Sequence, residues 1–295
     1  MGTPEYAAVI LEGLICSETV EIVAVVTQPD RPVGRKQVLT PPPVKGVALA
    51  AGLPLYQPQR LDACFESLQE LRADLIIVAA YGQILSQRVL DLAPCYNLHA
   101  SLLPAHRGAA PIQASLLGGD RLTGMTLMAM EAGLDTGPMV AFNLIPTINH
   151  DAASLSKALQ RSGASLLIAA IKRLDRLRFL PQHGCDANLV RKVKKSHALI
   201  GFTHDAKSIL RAFLAYTPWP GIHLSSGLTL LQLSIAQPAG RFEPGAILSI
   251  SPQGVEVGTP LGSLLVKTVQ APSKKPISTV EYLNGKRLGL GDILV

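Results

Sequence analysis

The chain has 295 residues with 27 Lys and Arg against 21 Asp and Glu, a formal net charge of +6. That length is enough for two domains, each burying its own core. No charged-then-apolar leader and no unbroken apolar run of about 18 residues is present, so the composition points to a soluble, cytoplasmic protein and not to a membrane-spanning one. The four cysteines, Cys16, Cys64, Cys95 and Cys185, are scattered, with no C-x-x-C pair and no clustered histidines. Neither a zinc site nor a disulfide framework is expected, and no metal is implied. The charge is uneven: residues 1–185 hold 15 basic and 15 acidic side chains, residues 186–295 hold 12 and 6. A basic second half fits either a lysine-solvated surface or a module that binds phosphate through counterion release.

In chain order, Gly2-Thr3-Pro4 reads as a turn into a helix over residues 5–16, with Pro4 near its start. Residues 20–27 and 73–80 are apolar, partly β-branched runs that read as buried parallel strands. Between them, residues 28–45 form a basic, proline-rich loop that is expected to pack as neither helix nor strand. Helical segments fall between and after the strands. This alternation predicts an α/β fold with a doubly wound, mostly parallel, Rossmann-like sheet, whose ligands bind beyond the carboxyl ends of its strands. No G-x-G-x-x-G follows a strand, so a dinucleotide is not expected.

Asn97 and His99 are two residues apart, so in an extended segment both side chains share one face. Asp135 would join them from a second loop, flanked by Gly133 and Gly137. An amide, an imidazole and a carboxylate suffice to hold an oxyanion, move a proton and orient the group that moves it. The same residue types also cap helices and satisfy buried backbone, so spacing alone leaves both readings open. Cys95, just before this stretch, reads as a packed cysteine in preference to a nucleophile.

Residues 109–117 are expected to be helical and residues 123–130 to form a strand leading to Asp135, with Met125, Met128 and Met130 as core. A structural helix is expected over residues 151–177, capped by Asp151 or Ser154. The domains are expected at 1–180 and 205–295, joined by a basic linker over 181–204 that carries Lys192, Lys194 and Lys195 and could line an RNA path. A helix over residues 205–216 leads to Trp219, read as a packing anchor. Beyond residue 222, short apolar strands over 228–235, 246–250, 254–257 and 263–269 alternate with Gly, Pro and Ser turns. They suggest a small all-β barrel, OB-like.

Asn97-Leu98-His99-Ala100-Ser101-Leu102-Leu103-Pro104, Arg107-Gly108-Ala109-Ala110-Pro111 and Gly133-Leu134-Asp135-Thr136-Gly137 together resemble the folate-dependent formyltransferases. Trp219-Pro220-Gly221 and Leu283-Asn284-Gly285-Lys286-Arg287-Leu288 extend the resemblance over the whole chain, toward the branch that formylates methionyl-tRNA. The resemblance implies catalysis by Asn97, His99 and Asp135, with 10-formyltetrahydrofolate as co-substrate and the initiator methionyl-tRNA as acceptor. It places the folate against Tyr81, Gly82, Ser101, Leu102, Leu103, Pro104 and Gly133. The tRNA is expected to meet Arg35, in the proline-rich loop, together with Lys192, Lys194 and Lys195. A monomer is expected.

In that family a short apolar strand precedes the Gly-Thr-Pro turn. The expectation here is a start a few residues upstream, because a missing central strand would leave ladder groups unpaired inside the sheet. The rival readings are a formyltransferase acting on a nucleotide, a sugar amine or water, and an RNA-binding protein with an inactive α/β domain.

Overall fold

The structure, a computed structural model, describes residues 1–34 and 36–295. Arg35, expected at the tRNA, lies outside the described residues. The chain divides into two compact units: Met1–Pro111, Arg121–Pro146 and Leu155–Arg191 form the first, and Ile112–Asp120, Thr147–Ser154 and Lys192–Val295 the second.

The chain begins with α1 (Glu5–Ser17) and continues through β1 (Val25–Val26), β2 (Arg31–Val33), β3 (Val38–Thr40), α2 (Pro43–Ala50) and β4 (Leu55–Tyr56). It then runs through α3 (Phe65–Glu70), β5 (Ile76–Val78), α4 (Gln87–Leu90), β6 (Cys95–His99), β7 (Arg107–Gly108), α5 (Pro111–Gly118), β8 (Leu122–Ala129) and β9 (Met139–Pro146). The main sheet has the order β5-β6-β8-β9. It is mixed, not mostly parallel: β5 and β6 run parallel, while β6-β8 and β8-β9 are antiparallel. Only a short loop separates β8 from β9, and a short connection makes neighbouring strands antiparallel. Met125 and Met128 are buried in this sheet, as core.

The strands expected at residues 20–27 and 73–80 are shorter than their apolar runs, and the reason lies between them. Met1 and Gly2 occupy the space between β1 and β5. The Gly2 amide donates to Val26 O at 3.0 Å, and Ala79 donates to Met1 O at 2.9 Å. A Cβ on Gly2 would sit 2.5 Å from Ala7 Cβ and 2.8 Å from Ala79 O, so only glycine fits that rung. Beyond it, residues 19–24 and 72–75 face each other across a cavity of about 450 Å³. Without a neighbour to pair with there, those residues keep apolar composition but form no ladder.

The proline-rich segment corrects its expectation. β2 and β3 pair antiparallel, Arg31 opposite Thr40, with every residue of both strands exposed. A two-stranded ribbon needs no buried face when its partner is its own neighbour, and Pro32 is tolerated on such an edge. Its base is anchored: Lys45 Nζ lies 2.8 Å from Asp30 Oδ2, Gln57 donates to Asp30 Oδ1, and Arg31 donates to Gln28 Oε1.

After α6 (Ala152–Ile171), whose first turn is held by Asp151 Oδ1 accepting from Ser154 N at 2.7 Å, the chain reaches β10 (Leu189–Val190). That strand pairs parallel with β7. The second unit contains α7 (Ala206–Tyr216), capped by Asp205, then β11 (Thr229–Gln237), β12 (Ile247–Ser251), β13 (Gly254–Gly258), β14 (Ser263–Gln270), β15 (Ile277–Ser278) and α8 (Thr279–Lys286). Its sheet is antiparallel, in the order β11-β14-β13-β12 with β15 on β14, and Val255, Val257, Leu264, Val266 and Val269 are fully buried in it. Trp219 is not the expected packing anchor. It is 53% exposed, carried outward between Pro218 and Pro220 in a turn. Among the described residues no helix is long and apolar enough to cross a membrane.

Candidate active site

β6 presents Asn97 and His99 on one face, with Asn97 opposite Met128 and His99 opposite Thr126 on β8. Asp135, in the loop between β8 and β9, meets both. Asn97 Nδ2 donates to Asp135 Oδ1 at 3.2 Å, and His99 Nδ1 lies 3.6 Å from Asp135 Oδ2. A third contact was not anticipated: the Gly108 amide of β7 donates to Asp135 Oδ2 at 2.8 Å. Both side chains are largely withdrawn from water, His99 with 6% and Asp135 with 12% of the side chain exposed, so the contacts are little screened.

The imidazole is fixed at its other end. His99 Nε2 faces His106 O at 2.9 Å. A carbonyl only accepts, so in the neutral ring Nε2 carries the hydrogen and Nδ1 turns a lone pair toward the carboxylate side. A proton arriving at Nδ1 turns that nitrogen into a second donor, aimed at Asp135. The cluster can therefore take up a proton and stabilise the result.

Three residues around the site, Ala80, His106 and Asp135, have φ of 46°, 59° and 52°. This left-handed region costs a side-chain-bearing residue roughly 1 kcal/mol, and such costs persist where surrounding contacts impose them.

The residues assigned to the folate differ in what they have to offer. Tyr81 is 2% exposed, its hydroxyl has no hydrogen-bond partner among the described residues, and burial pushes that group up to about 12. Its carbonyl accepts from Thr3 Oγ1 at 2.7 Å and Gln28 Nε2 at 3.3 Å. Gly82 follows at φ 84°, where a Cβ would lie 3.9 Å from Gln28 Nε2. Ser101 is fully buried and its hydroxyl is already engaged with Ala105 O at 2.6 Å, so it shapes the turn after β6 and offers no free hydroxyl. The Leu103 amide donates to Thr126 Oγ1, which anchors Leu102, Leu103 and Pro104 against β8. Gly133 is exposed at the start of the Asp135 loop.

Cys95 is 6% exposed and burial pushes its thiol up to about 11, the behaviour of a packed cysteine. Lys192, Lys194 and Lys195 are exposed at the start of the second unit's long segment. Among the described residues no group of three or more His, Cys, Asp or Glu is arranged to hold a metal ion.

Sequence reasoning missed the backbone partners, His106 O and Gly108 N, and the side chains of Gln182 and Asn188 behind them. Only the Arg-Gly pair of the formyltransferase-like motif pointed there.

A family model described as formyl transferase matches residues 1–171, and one described as formyl transferase, C-terminal domain, matches residues 192–287. The methionyl-tRNA formyltransferase of Wolinella succinogenes is 47% identical over 299 residues, covering 100% of this chain and 98% of that relative. That of Nitratiruptor sp. is 46% identical over 297 residues, with 99% and 97% covered. Among solved structures, WlaRD, a sugar 3N-formyl transferase in the presence of dTDP and 5-N-formyl-THF, superposes with a TM-score of 0.68 at 16% identity, over 93% of this chain and 97% of its own. HypX from Aquifex aeolicus in complex with tetrahydrofolic acid gives 0.59 at 17% identity, over 82% of this chain and 44% of its own. These two structures speak for the fold alone, whereas the sequence identities over the full length speak for kinship. The chain belongs to the formyl transferase family, in the branch of the methionyl-tRNA formyltransferases.

Proposed function

We propose that the chain transfers the formyl group of 10-formyltetrahydrofolate to the α-amino group of initiator methionyl-tRNA, with Asn97, His99 and Asp135 as its catalytic residues. One observation carries this reading: a single carboxylate, Asp135, is held at once by the amide of Asn97 and the backbone of Gly108, with the imidazole Nδ1 of His99 3.6 Å away.

A free α-amino group titrates near pH 8, so a sizeable minority is already neutral at pH 7 and the nucleophile needs little activation. The amine nitrogen attacks the formyl carbon, a C–N bond forms, and the carbonyl oxygen becomes a tetrahedral oxyanion. Asn97 has one N–H engaged with Asp135 and a second free to donate to that oxygen. His99 Nδ1, beside Asp135, takes the proton released by the amine. As the bond from the formyl carbon to N10 of the folate breaks, that proton passes to the departing nitrogen. Asp135 orients the ring and steadies the imidazolium that forms.

The pterin is read by backbone groups over residues 78–85 and by the loop at Gly133 to Asp135, at the carboxyl end of β5 and β6. In the second unit, the antiparallel strands form an OB-like frame for RNA, and Lys192, Lys194 and Lys195 contact its phosphates together with Arg35. The enzyme works as a cytoplasmic monomer.

The test is formyl transfer from 10-formyltetrahydrofolate to methionyl-tRNA, with a nucleotide-linked sugar amine as the competing acceptor. Transfer to the tRNA and not to the sugar, with Asn97→Ala slower by about 100- to 1000-fold at unchanged tRNA affinity, supports the reading. Preference for the sugar amine, or equal losses of rate and affinity in Asn97→Ala, overturns it.

A further inference from the structure

The stretch after Leu180 has the composition of a connector, yet it returns to the Asp135 cluster at three points. Leu180 and Met139 exchange both backbone hydrogen bonds, at 2.8 and 2.9 Å. Gln182 reaches the Asp135 loop: its Nε2 donates to Asp135 O at 2.9 Å and to Gly137 O at 2.7 Å, and its Oε1 accepts from Arg107 Nε at 2.9 Å. Asn188 Oδ1 accepts from the His106 amide, the Asn188 carbonyl accepts from Arg107 N, and Val190 O accepts from Ala109 N.

The three points serve different parts of one device. Asn188 and β10 hold His106 and β7, which supply the carbonyl facing His99 and the amide facing Asp135. Gln182 joins that strand to the loop opposite. Both N–H groups of its amide and its oxygen are used, and the two carbonyls it binds are that of Asp135, whose φ of 52° has to be imposed from outside, and that of Gly137 two residues on.

We propose that Gln182 is a positioning residue of formyl transfer, clamping the Asp135 loop to Arg107 so that the carboxylate meets Asn97, His99 and Gly108 together. The proposal rests on the catalytic reading of those residues given above. Gln182 acts through Asp135 and touches no reacting atom, so its loss degrades the arrangement of the site and leaves tRNA binding alone.

The test compares Gln182→Met, of similar length without hydrogen bonds, with Gln182→Glu, which still accepts from Arg107 but turns a carboxylate toward two carbonyl oxygens. A misplacement of an ångström costs on the order of 100-fold in rate. Both variants are expected to lose about 10- to 100-fold in kcat, with KM for methionyl-tRNA within about twofold. The His99 imidazole signals in 1H–15N spectra, assigned through His99→Asn, are expected to shift in both. Should Gln182→Met fail to fold, Gln182→Asn keeps the amide, shortens its reach and gives a graded loss.

An unchanged kcat in a folded variant, or a raised KM at unchanged kcat, overturns the proposal. If the unaltered protein transfers no formyl group to methionyl-tRNA, the reaction assigned above is wrong, and the His99 signals decide the clamp alone. A shift in Gln182→Met upholds it, and unmoved signals refute it.

Discussion

The Gly108 amide donates to Asp135 Oδ2 at 2.8 Å from a backbone at φ 110° that also passes against Val190 O. A Cβ at residue 108 would lie 2.4 Å from that oxygen. The same glycine therefore holds the carboxylate on one side and β10 on the other. Gly108→Ala should cost about 2 kcal/mol or more through strain and lost pairing. It should also cut formyl transfer more than its fall in Tm explains. Thermal melts alongside kcat at 25 °C check this, and a variant with full activity would contradict the role given to Gly108.

Asp135→Asn keeps an acceptor for Gly108 but removes the charge that steadies a protonated His99. A fall in kcat of about 100- to 10,000-fold is expected, with tRNA affinity unchanged and the fold intact by circular dichroism. Loss of less than tenfold would mean that the proton leaves by another route.

The Met1 ammonium nitrogen sits inside the sheet, 2.6 Å from Ile77 O, and burial lowers it from 8.0 to about 6. Between those values the unfolded chain holds a proton that the folded chain does not. Stability should therefore rise as pH goes from 6 to 8, by about 2 to 3 kcal/mol, and be flat outside that window for this group. Extending the chain ahead of Met1 by about five Val, Ile or Leu residues, enough to pair across the cavity, replaces the amine with a peptide bond. The pH step should vanish, and Tm should rise on the order of 5–10 °C. Melting curves across pH 5.5–8.5 on both forms decide it, and an unaltered Tm in the extended form would show that the cavity is not a strand slot.

Cys95, pushed to about 11 by burial, should resist alkylation at pH 8 in the native protein, while the exposed Cys16 and Cys185 react. Mass spectrometry of iodoacetamide-treated protein, with and without denaturant, reads this directly. Rapid native labelling at Cys95 would mean that its side of β6 opens.

Replacing Lys192, Lys194 and Lys195 together with Gln should weaken tRNA binding. It should also lower the slope of log affinity against log salt by about 0.7 to 0.9 for each phosphate contact removed, with kcat at saturating tRNA unchanged. An unaltered slope would place the RNA backbone elsewhere.

The pairing of Asn97 with His99 was legible because a period of two is a local property: the two had to share a face if the segment was extended, and β6 is. The Asp135 loop followed from its motif. The alternation of apolar runs gave the α/β frame, but not the antiparallel half of the sheet, because strand direction depends on how connections fold back. The runs at residues 20–27 and 73–80 were legible as strands in composition, yet most of their length lacks a partner, which is a property of the neighbour and not of the run. Gln182 was out of reach. Pro181-Gln182-His183 has no pattern, and its meaning lies in contacts 45 and 75 positions away.

β7 and β10 pair residues 82 positions apart. During synthesis, β5, β6, β8 and β9 can assemble as soon as residue 146 is available, while the strand that fixes His106 and Gly108 still lacks its partner. The Asp135 carboxylate gains its full set of holders only when Val190 has emerged. A nascent chain thus acquires the shape of the sheet well before it acquires a competent centre, and a fragment cut at residue 171 should melt as a folded body and turn over poorly.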